Sequence, residues 1–235
     1  MAEGEIITID GPAGSGKSTV GRALAQRLGF LYLDTGAMYR AVALSALRLS
    51  IGRDEGERLG LLCRDLPLSF DADKIPPAVI LGKEDISKAI RSPEMDLLSS
   101  EISASPQVRE AMTALQRRIA SEKNVVAEGR DMGTVVFPRA RHKLFLTAPP
   151  AVRAERRYAE RISRGERPER ETVIKELLQR DHQDETREIA PLRPAPDAFI
   201  IDTGSMAIPE VLHAIIIRLL SNGLHISAHG DKIKC

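Results

Sequence analysis

The stretch Ile6-Ile7-Thr8-Ile9-Asp10, followed directly by Gly11-Pro12-Ala13-Gly14-Ser15-Gly16-Lys17-Ser18-Thr19, constrains this chain more than any other. It reads as a short buried strand, a G-x-x-x-x-G-K-S loop, and a helix with Val20, Leu24 and Leu28 on one face. The closely spaced Gly11, Gly14 and Gly16 let the backbone wrap a polyphosphate closely, because no Cβ blocks the turn. The loop N–H groups and the helix N-terminus then point at one anion. Lys17 is placed to reach the β- and γ-phosphates, and the Ser18 hydroxyl to hold Mg²⁺. A capping turn would explain the glycines alone, but not strand, motif and helix in this order. The segment from Gly11 to Thr19 is therefore read as a nucleoside triphosphate site.

Composition removes several other partners. Lys and Arg number 34 against 33 Asp and Glu, so the net charge of +1 gives no global field for nucleic acid or an acidic membrane. Aromatics are 3% with no Trp, too few for base-stacking platforms. No run of about 18 apolar residues predicts a membrane span. Cys63 and Cys235 form neither a disulfide framework nor a metal-ligand spacing. With no signal-like segment before the first strand, a reduced, cytoplasmic protein is expected, and a monomer is expected as well. Its 235 residues suffice for one core and a small insert.

Short apolar strands then alternate with helices. Phe30 to Asp34 predicts a second strand, and Thr35 is placed to cap a helix from Ala37 to about Leu49. Leu66, Leu68 and Phe70 alternate with other residues, and Ala78 to Leu81 follows Pro76-Pro77, which predicts a small antiparallel insert. Helices are expected over about 93–103 and 107–122, and strands at Asn124–Ala127, Lys143–Thr147 and Phe199–Asp202. After Pro149-Pro150 comes an arginine-dense helix, broken at Arg164–Pro168, then a polar helix to about Glu188. Ile208, Val211, Leu212, Ile215, Ile216 and Leu219 mark a last helix. The pattern predicts an α/β fold, a parallel sheet with helices on both faces. Its core would take about 5–50, 93–150 and 190–221, with the insert at about 52–92 and a polar tail over 222–235.

Arginine is the second informative feature. Arg153, Arg156, Arg157, Arg161, Arg164 and Arg167 fall around the glycine-containing break. Several can serve a solvated face balanced by Glu155, Glu160 and Glu166. Beside a phosphate loop, the cluster also fits a lid over about 153–168 that closes on transferring phosphates and excludes water. Which arginine meets which phosphate stays open; Arg153 and Arg157 share an i, i+4 face. Thr35, Arg40, Arg130 and Asp131 all follow strand ends, where open α/β sheets bind ligands. Arg180, Asp184 and Arg187 lie on one helix face, and spacing alone makes them a salt-bridge ladder. No activated nucleophile is evident, and an acceptor that is a phosphate monoester, ionised at pH 7, needs no general base.

Several segments together resemble the bacterial cytidylate kinases, in the nucleoside monophosphate kinase group. They are Ile7 through Thr19, Leu33-Asp34-Thr35-Gly36-Ala37-Met38-Tyr39-Arg40, Gly129 through Pro138, and Ala190-Pro191-Leu192. The likeness spans residues 5 to about 220, and the insert resembles the family's monophosphate-binding sheet. It implies a P-loop kinase fold with an arginine-rich lid, and transfer of a phosphoryl group from ATP, with Mg²⁺, to CMP and dCMP. Arg40 and Arg130 are then expected on the acceptor's phosphate. Thr35, Arg109, Asp131 and Arg187 are expected around cytosine, and Ser100, Arg180 and Asp184 around the ribose. Asp131 can accept from the exocyclic amine, and arginine can donate to N3 and O2. Lys17, Arg40, Arg130 and Arg157 are the expected catalytic set, with Arg153 and Arg157 on the ATP side.

Two rival functions fit the sequence less well. One is a P-loop kinase for another small acceptor, a different monophosphate or a hydroxyl compound; a hydroxyl acceptor calls for a base near the γ-phosphate, and no convincing one is present. A nucleotide switch for GTP calls for an N-K-x-D guanine-reading segment, which is absent.

Overall fold

A computed structural model of the chain describes residues 4–71, 74 and 77–224. The expected tail lies outside the described residues from 225 onward, as does Pro76 before the insert strand. In chain order the elements begin β1 (Ile6–Asp10), α1 (Lys17–Leu28), β2 (Leu31–Asp34), α2 (Thr35–Arg48) and α3 (Gly56–Arg64). They continue through β3 (Leu68–Asp71), β4 (Ala78–Leu81), β5 (Glu84–Asp85), α4 (Pro93–Ile102) and α5 (Pro106–Ala120). After β6 (Val125–Gly129) come a π-helical turn (Met132–Val136), β7 (His142–Thr147), α6 (Pro150–Ser163) and α7 (Arg170–Thr186). The chain closes with β8 (Phe199–Asp202) and α8 (Ile208–Ser221).

Five strands form one parallel sheet in the order β2-β6-β1-β7-β8. The near-continuous apolar runs of the central strands β1 and β6 follow from burial on both faces. Strand alternation divides those runs between two cores. Val125 and Ala127 of β6 face Leu33, Met38, Val42 and Met112, while Val126 joins Ile7, Ile9, Leu24, Leu144, Ile215 and Leu219 on the other side. The insert is a separate antiparallel sheet, β3-β4-β5. Its Val79, with Ile86 and Ile90 beyond it, packs into the same cluster as α2 and α5.

Two local expectations are corrected. The cap of α2 is Asp34, whose carboxylate accepts from the Ala37 N–H at 2.8 Å. Thr35 lies inside the helix, and its hydroxyl donates to the Glu128 carbonyl at 2.6 Å. The helix α3 is not among the predicted elements; its Leu59 and Cys63 are buried in the larger core.

Parallel register sets the rim on which the site is built. Ile9 pairs with Glu128, Asp10 with Gly129, and Asp34 with Glu128, so three carboxylates end adjacent strands at one edge. The phosphate loop and the Arg130-Asp131 turn leave from that edge side by side. Asp10 ties them together: its two oxygens accept from the Met132 and Gly133 N–H groups, each at 2.8 Å.

Candidate active site

A cavity of about 1020 Å³ lies over the carboxyl ends of β1, β2 and β6. The phosphate loop from Ala13 through Thr19 forms one wall, and Arg40, Ser100, Arg130 and Arg180 stand on the other. Arg156, Arg157, Arg161 and Arg164 of α6 and its C-terminal end cover the space between. Within the loop Gly11 and Gly16 adopt φ of 148° and 90°, the left-handed side that glycine tolerates. The Ser15 carbonyl accepts from the Thr203 hydroxyl at 3.0 Å, and that hydroxyl accepts from Arg156 Nη1 at 2.9 Å. The loop, β8 and α6 are thereby joined at one point.

The Lys17 ammonium is buried and donates to the Pro12 carbonyl at 2.7 Å. Burial, aided by the Arg130 and Arg180 charges, pulls its pKa down to about 7. Arg180 is likewise held below its usual range, first by burial and then by Arg130. Three cations converging on one space from its two walls make this a place for an anion. Asp184 accepts from Arg130 Nε at 2.8 Å. Burial alone would raise its carboxyl, but Arg130 and Arg180 hold it below the ordinary range.

Beside the loop stands Glu128, 3% exposed and hydrogen bonded by the Tyr32 hydroxyl. Burial and then Asp34 raise its pKa, against Lys17 and bonds from Tyr32 and Ser18. Its Oε2 has no partner among the described residues. A hydroxyl from Ser18 and an oxygen with unspent lone pairs form a donor set of the kind Mg²⁺ takes, so these residues fit the ion.

Of the residues expected around the cytosine and ribose, Thr35, Arg109, Asp131 and Asp184 are buried, and with Arg187 they stand beside the cavity rather than on its wall. Asp131 is gripped by Arg109 through a hydrogen bond, and Arg187 Nη2 approaches at 3.8 Å. Arg109 also lies over the Tyr39 ring, 5.9 Å from its centroid. Arg187 Nη1 stands 3.8 Å from Asp184, and its Nε donates to the Ala190 carbonyl at 2.6 Å. The face carrying Arg180, Asp184 and Arg187 is thus turned inward, not a surface ladder.

Arg153 departs from its expected place. Its guanidinium is buried behind the phosphate loop, donating to the carbonyls of Ala148 and Ala13 and to Asp181 at 2.5 Å. Arg157, one turn on, reaches the cavity and binds Asp96 and Glu160. Pro12 and Gly11 support the loop from outside the cavity wall.

The family model for cytidylate kinase matches residues 7–221. The chain belongs to the cytidylate kinase family. A cytidylate kinase from a Geobacter species is 47% identical over 229 residues, covering 97% of this chain and 97% of the relative. Another, from Citrifermentans bemidjiense, is 48% identical over 89% of this chain and 90% of its own length. The architecture alone is shared with an uncharacterised protein from Eubacterium ventriosum, with a TM-score of 0.51 at 12% identity, over 92% of this chain and 99% of that one.

Within this cytidylate kinase family member, sequence reasoning missed Asp10, Glu128 and Asp96. The first two carried a signal: each is a carboxylate closing an apolar strand beside the phosphate loop. Asp96 carried none, since its partners come from Arg40, Arg157 and Arg180, far apart in the chain.

Proposed function

We propose that this chain transfers the γ-phosphoryl group of ATP to CMP, and also to dCMP, forming ADP and the cytidine diphosphate. Membership of the cytidylate kinase family supports the reaction. The observation that carries it is the single cavity running from the phosphate loop to Arg40, Arg130, Ser100 and Arg180. One wall suits a triphosphate and the other a monophosphate, so donor and acceptor would meet without crossing solvent.

In this reading Lys17 and the loop N–H groups neutralise the triphosphate, and Arg40 and Arg130 hold the attacking phosphate in line. Both effects act on charge that builds in the transition state. Ser18 would hold Mg²⁺ with Glu128 beside it; the ion, when bound, supplies further charge neutralisation on the phosphates. Arg157, with Arg156, Arg161 and Arg164, would close as a lid, whereas Arg153 would brace the phosphate loop from behind. Thr35, Arg109, Asp131 and Arg187 would read cytosine, and Ser100, Arg180 and Asp184 the ribose. The segment at about 52–92 would close over the monophosphate as a unit on the core. A monomer acting in the cytoplasm completes the proposal.

ADP release from ATP and Mg²⁺ with a panel of monophosphates tests this directly. CMP and dCMP should drive turnover well above the rate without acceptor. Turnover with another monophosphate but not CMP would sink the assignment.

A further inference from the structure

Four charged side chains from four helices meet on the acceptor side of the cavity. Asp96, one turn before Ser100 on α4, lies 3.7 Å from Arg40 Nη1 of α2 and 3.6 Å from Arg180 Nη1 of α7. Its other oxygen accepts a hydrogen bond from Arg157 of α6. All four line the same cavity. The contacts to Arg40 and Arg180 are too long for hydrogen bonds. In both of these arginines, moreover, the Nε is buried without a partner among the described residues. One carboxylate therefore balances charge here while leaving donors unspent.

We propose that Asp96 is an internal counter-anion, standing among Arg40, Arg157 and Arg180 and competing with the acceptor's phosphate for them. The proposal rests on the phosphoryl-transfer reading above and deepens it by naming a residue that sets acceptor affinity. Guanidinium groups clustered and partly withdrawn from water, as these are, need a countercharge. A carboxylate meets that need with one charge and two oxygens. A phosphate monoester brings nearly two charges and three oxygens, enough to engage the idle donors as well. An arriving phosphate must displace Asp96 from the arginines or share them against like-charge repulsion. Either route weakens phosphate binding relative to the same site without the carboxylate. The neighbouring carboxylates are engaged otherwise: Asp34 caps α2 and meets Arg40 at 3.8 Å, Asp184 is bound by Arg130, and Glu160, which also lines the cavity, pairs with Arg157 and Arg164.

The test is calorimetric titration of inorganic phosphate into the wild type and Asp96→Asn, alongside CMP kinetics. Asparagine keeps the size of the side chain and an acceptor oxygen for Arg157. Phosphate should bind the variant roughly tenfold more tightly, the scale of one close like-charge contact in a partly solvated site. KM for CMP should fall in parallel, and its rise with salt should steepen because the site is one charge more positive. Asp96→Glu should stay near wild type. Unchanged or weaker phosphate binding in Asp96→Asn would overturn the proposal, since a residue that merely positions the arginines gives that result. A gain confined to ATP would overturn the assignment to the acceptor's phosphate. If the asparagine variant melts early, Asp96→Ser carries the same comparison. Should the wild type fail to phosphorylate CMP, the functional reading falls while the phosphate titration still decides the role of Asp96.

Discussion

Binding of a triphosphate should draw a proton into this site near neutral pH. Burial, with Arg130 and Arg180 nearby, leaves Lys17 with a pKa of about 7. At pH 8 about nine-tenths of the free chain therefore carries neutral Lys17. Beside a triphosphate the charged form is favoured, so its pKa returns well above that pH. MgATP binding at pH 8 should then take up about 0.9 proton at Lys17. Affinity should be flat below pH 7 and fall about tenfold per unit above it. Calorimetry in HEPES and in Tris, whose ionisation enthalpies differ, reads the proton number directly. The γ-phosphate is already ionised at pH 8 and adds nothing. Lys17→Arg stays charged throughout, so its uptake should vanish and its affinity should not vary with pH in this range. Folding supplies an opposite trend. The unfolded chain holds the Lys17 proton up to its ordinary pKa of 10.5, so the free protein should gain stability as pH rises from 7 towards 10.5. No proton uptake by the wild type at pH 8, or equal affinity at pH 7 and 9, would refute the reasoning.

Replacing Arg187 with Met removes a donor from the Asp131 cluster, and CMP specificity should fall roughly ten- to hundredfold while ATP affinity holds. Because Arg187 Nε also holds the Ala190 carbonyl, stability should drop by about 1 kcal/mol, readable in a denaturant melt. CMP should be preferred over UMP by at least roughly tenfold, since uracil sets a carbonyl where Asp131 needs a donor; equal kcat/KM for the two would remove Asp131 from the base site. A Cβ on Gly11 would lie 2.0 Å from the Leu146 carbonyl oxygen, whereas one on Gly16 meets nothing within 4 Å. Gly16→Ala should therefore cost only its left-handed φ, about 1–2 kcal/mol, and Gly11→Ala clearly more; comparable melting temperatures would contradict this account.

The phosphate loop and the five-stranded sheet were legible because both are written locally. A glycine-rich loop between an apolar strand and a helix has few other uses, and an apolar run such as Val125 to Ala127, buried on both faces, fits a parallel sheet covered by helices. The helix α3 escaped because its nine residues carry a short apolar stripe, Leu59, Leu62 and Cys63, in a glycine-containing segment. Side-chain direction was harder still. Arg153 and Arg157 share a face by spacing, yet the first lies under the phosphate loop and the second over the cavity. That difference depends on where α6 crosses the loop, which no local pattern records. The capping role given to Thr35 belonged to the residue before it. The hydroxyl was then free to hold the Glu128 carbonyl, a contact between distant segments.

The two ends of the site differ in charge balance, and that difference matches the two kinds of group proposed to bind there. Around Asp131, carboxylates and guanidiniums already face one another: Arg109 and Arg187 against Asp131, with Asp184 also beside Arg187. A neutral cytosine can enter such a cluster by exchanging hydrogen bonds, without bringing a charge that needs compensation. Buried pairs of this sort seldom add stability over apolar residues of similar size, so their retention is better explained by recognition. At the phosphate end Arg130 stands near both Lys17 and Arg180, whose burial together with that charge holds them below their ordinary range, while Asp184 and Asp96 each answer more than one arginine. Only a group of high negative charge completes that end. A nucleoside, lacking phosphate, should therefore find its base cluster formed and still bind poorly, because the arginines would keep the carboxylates they already hold.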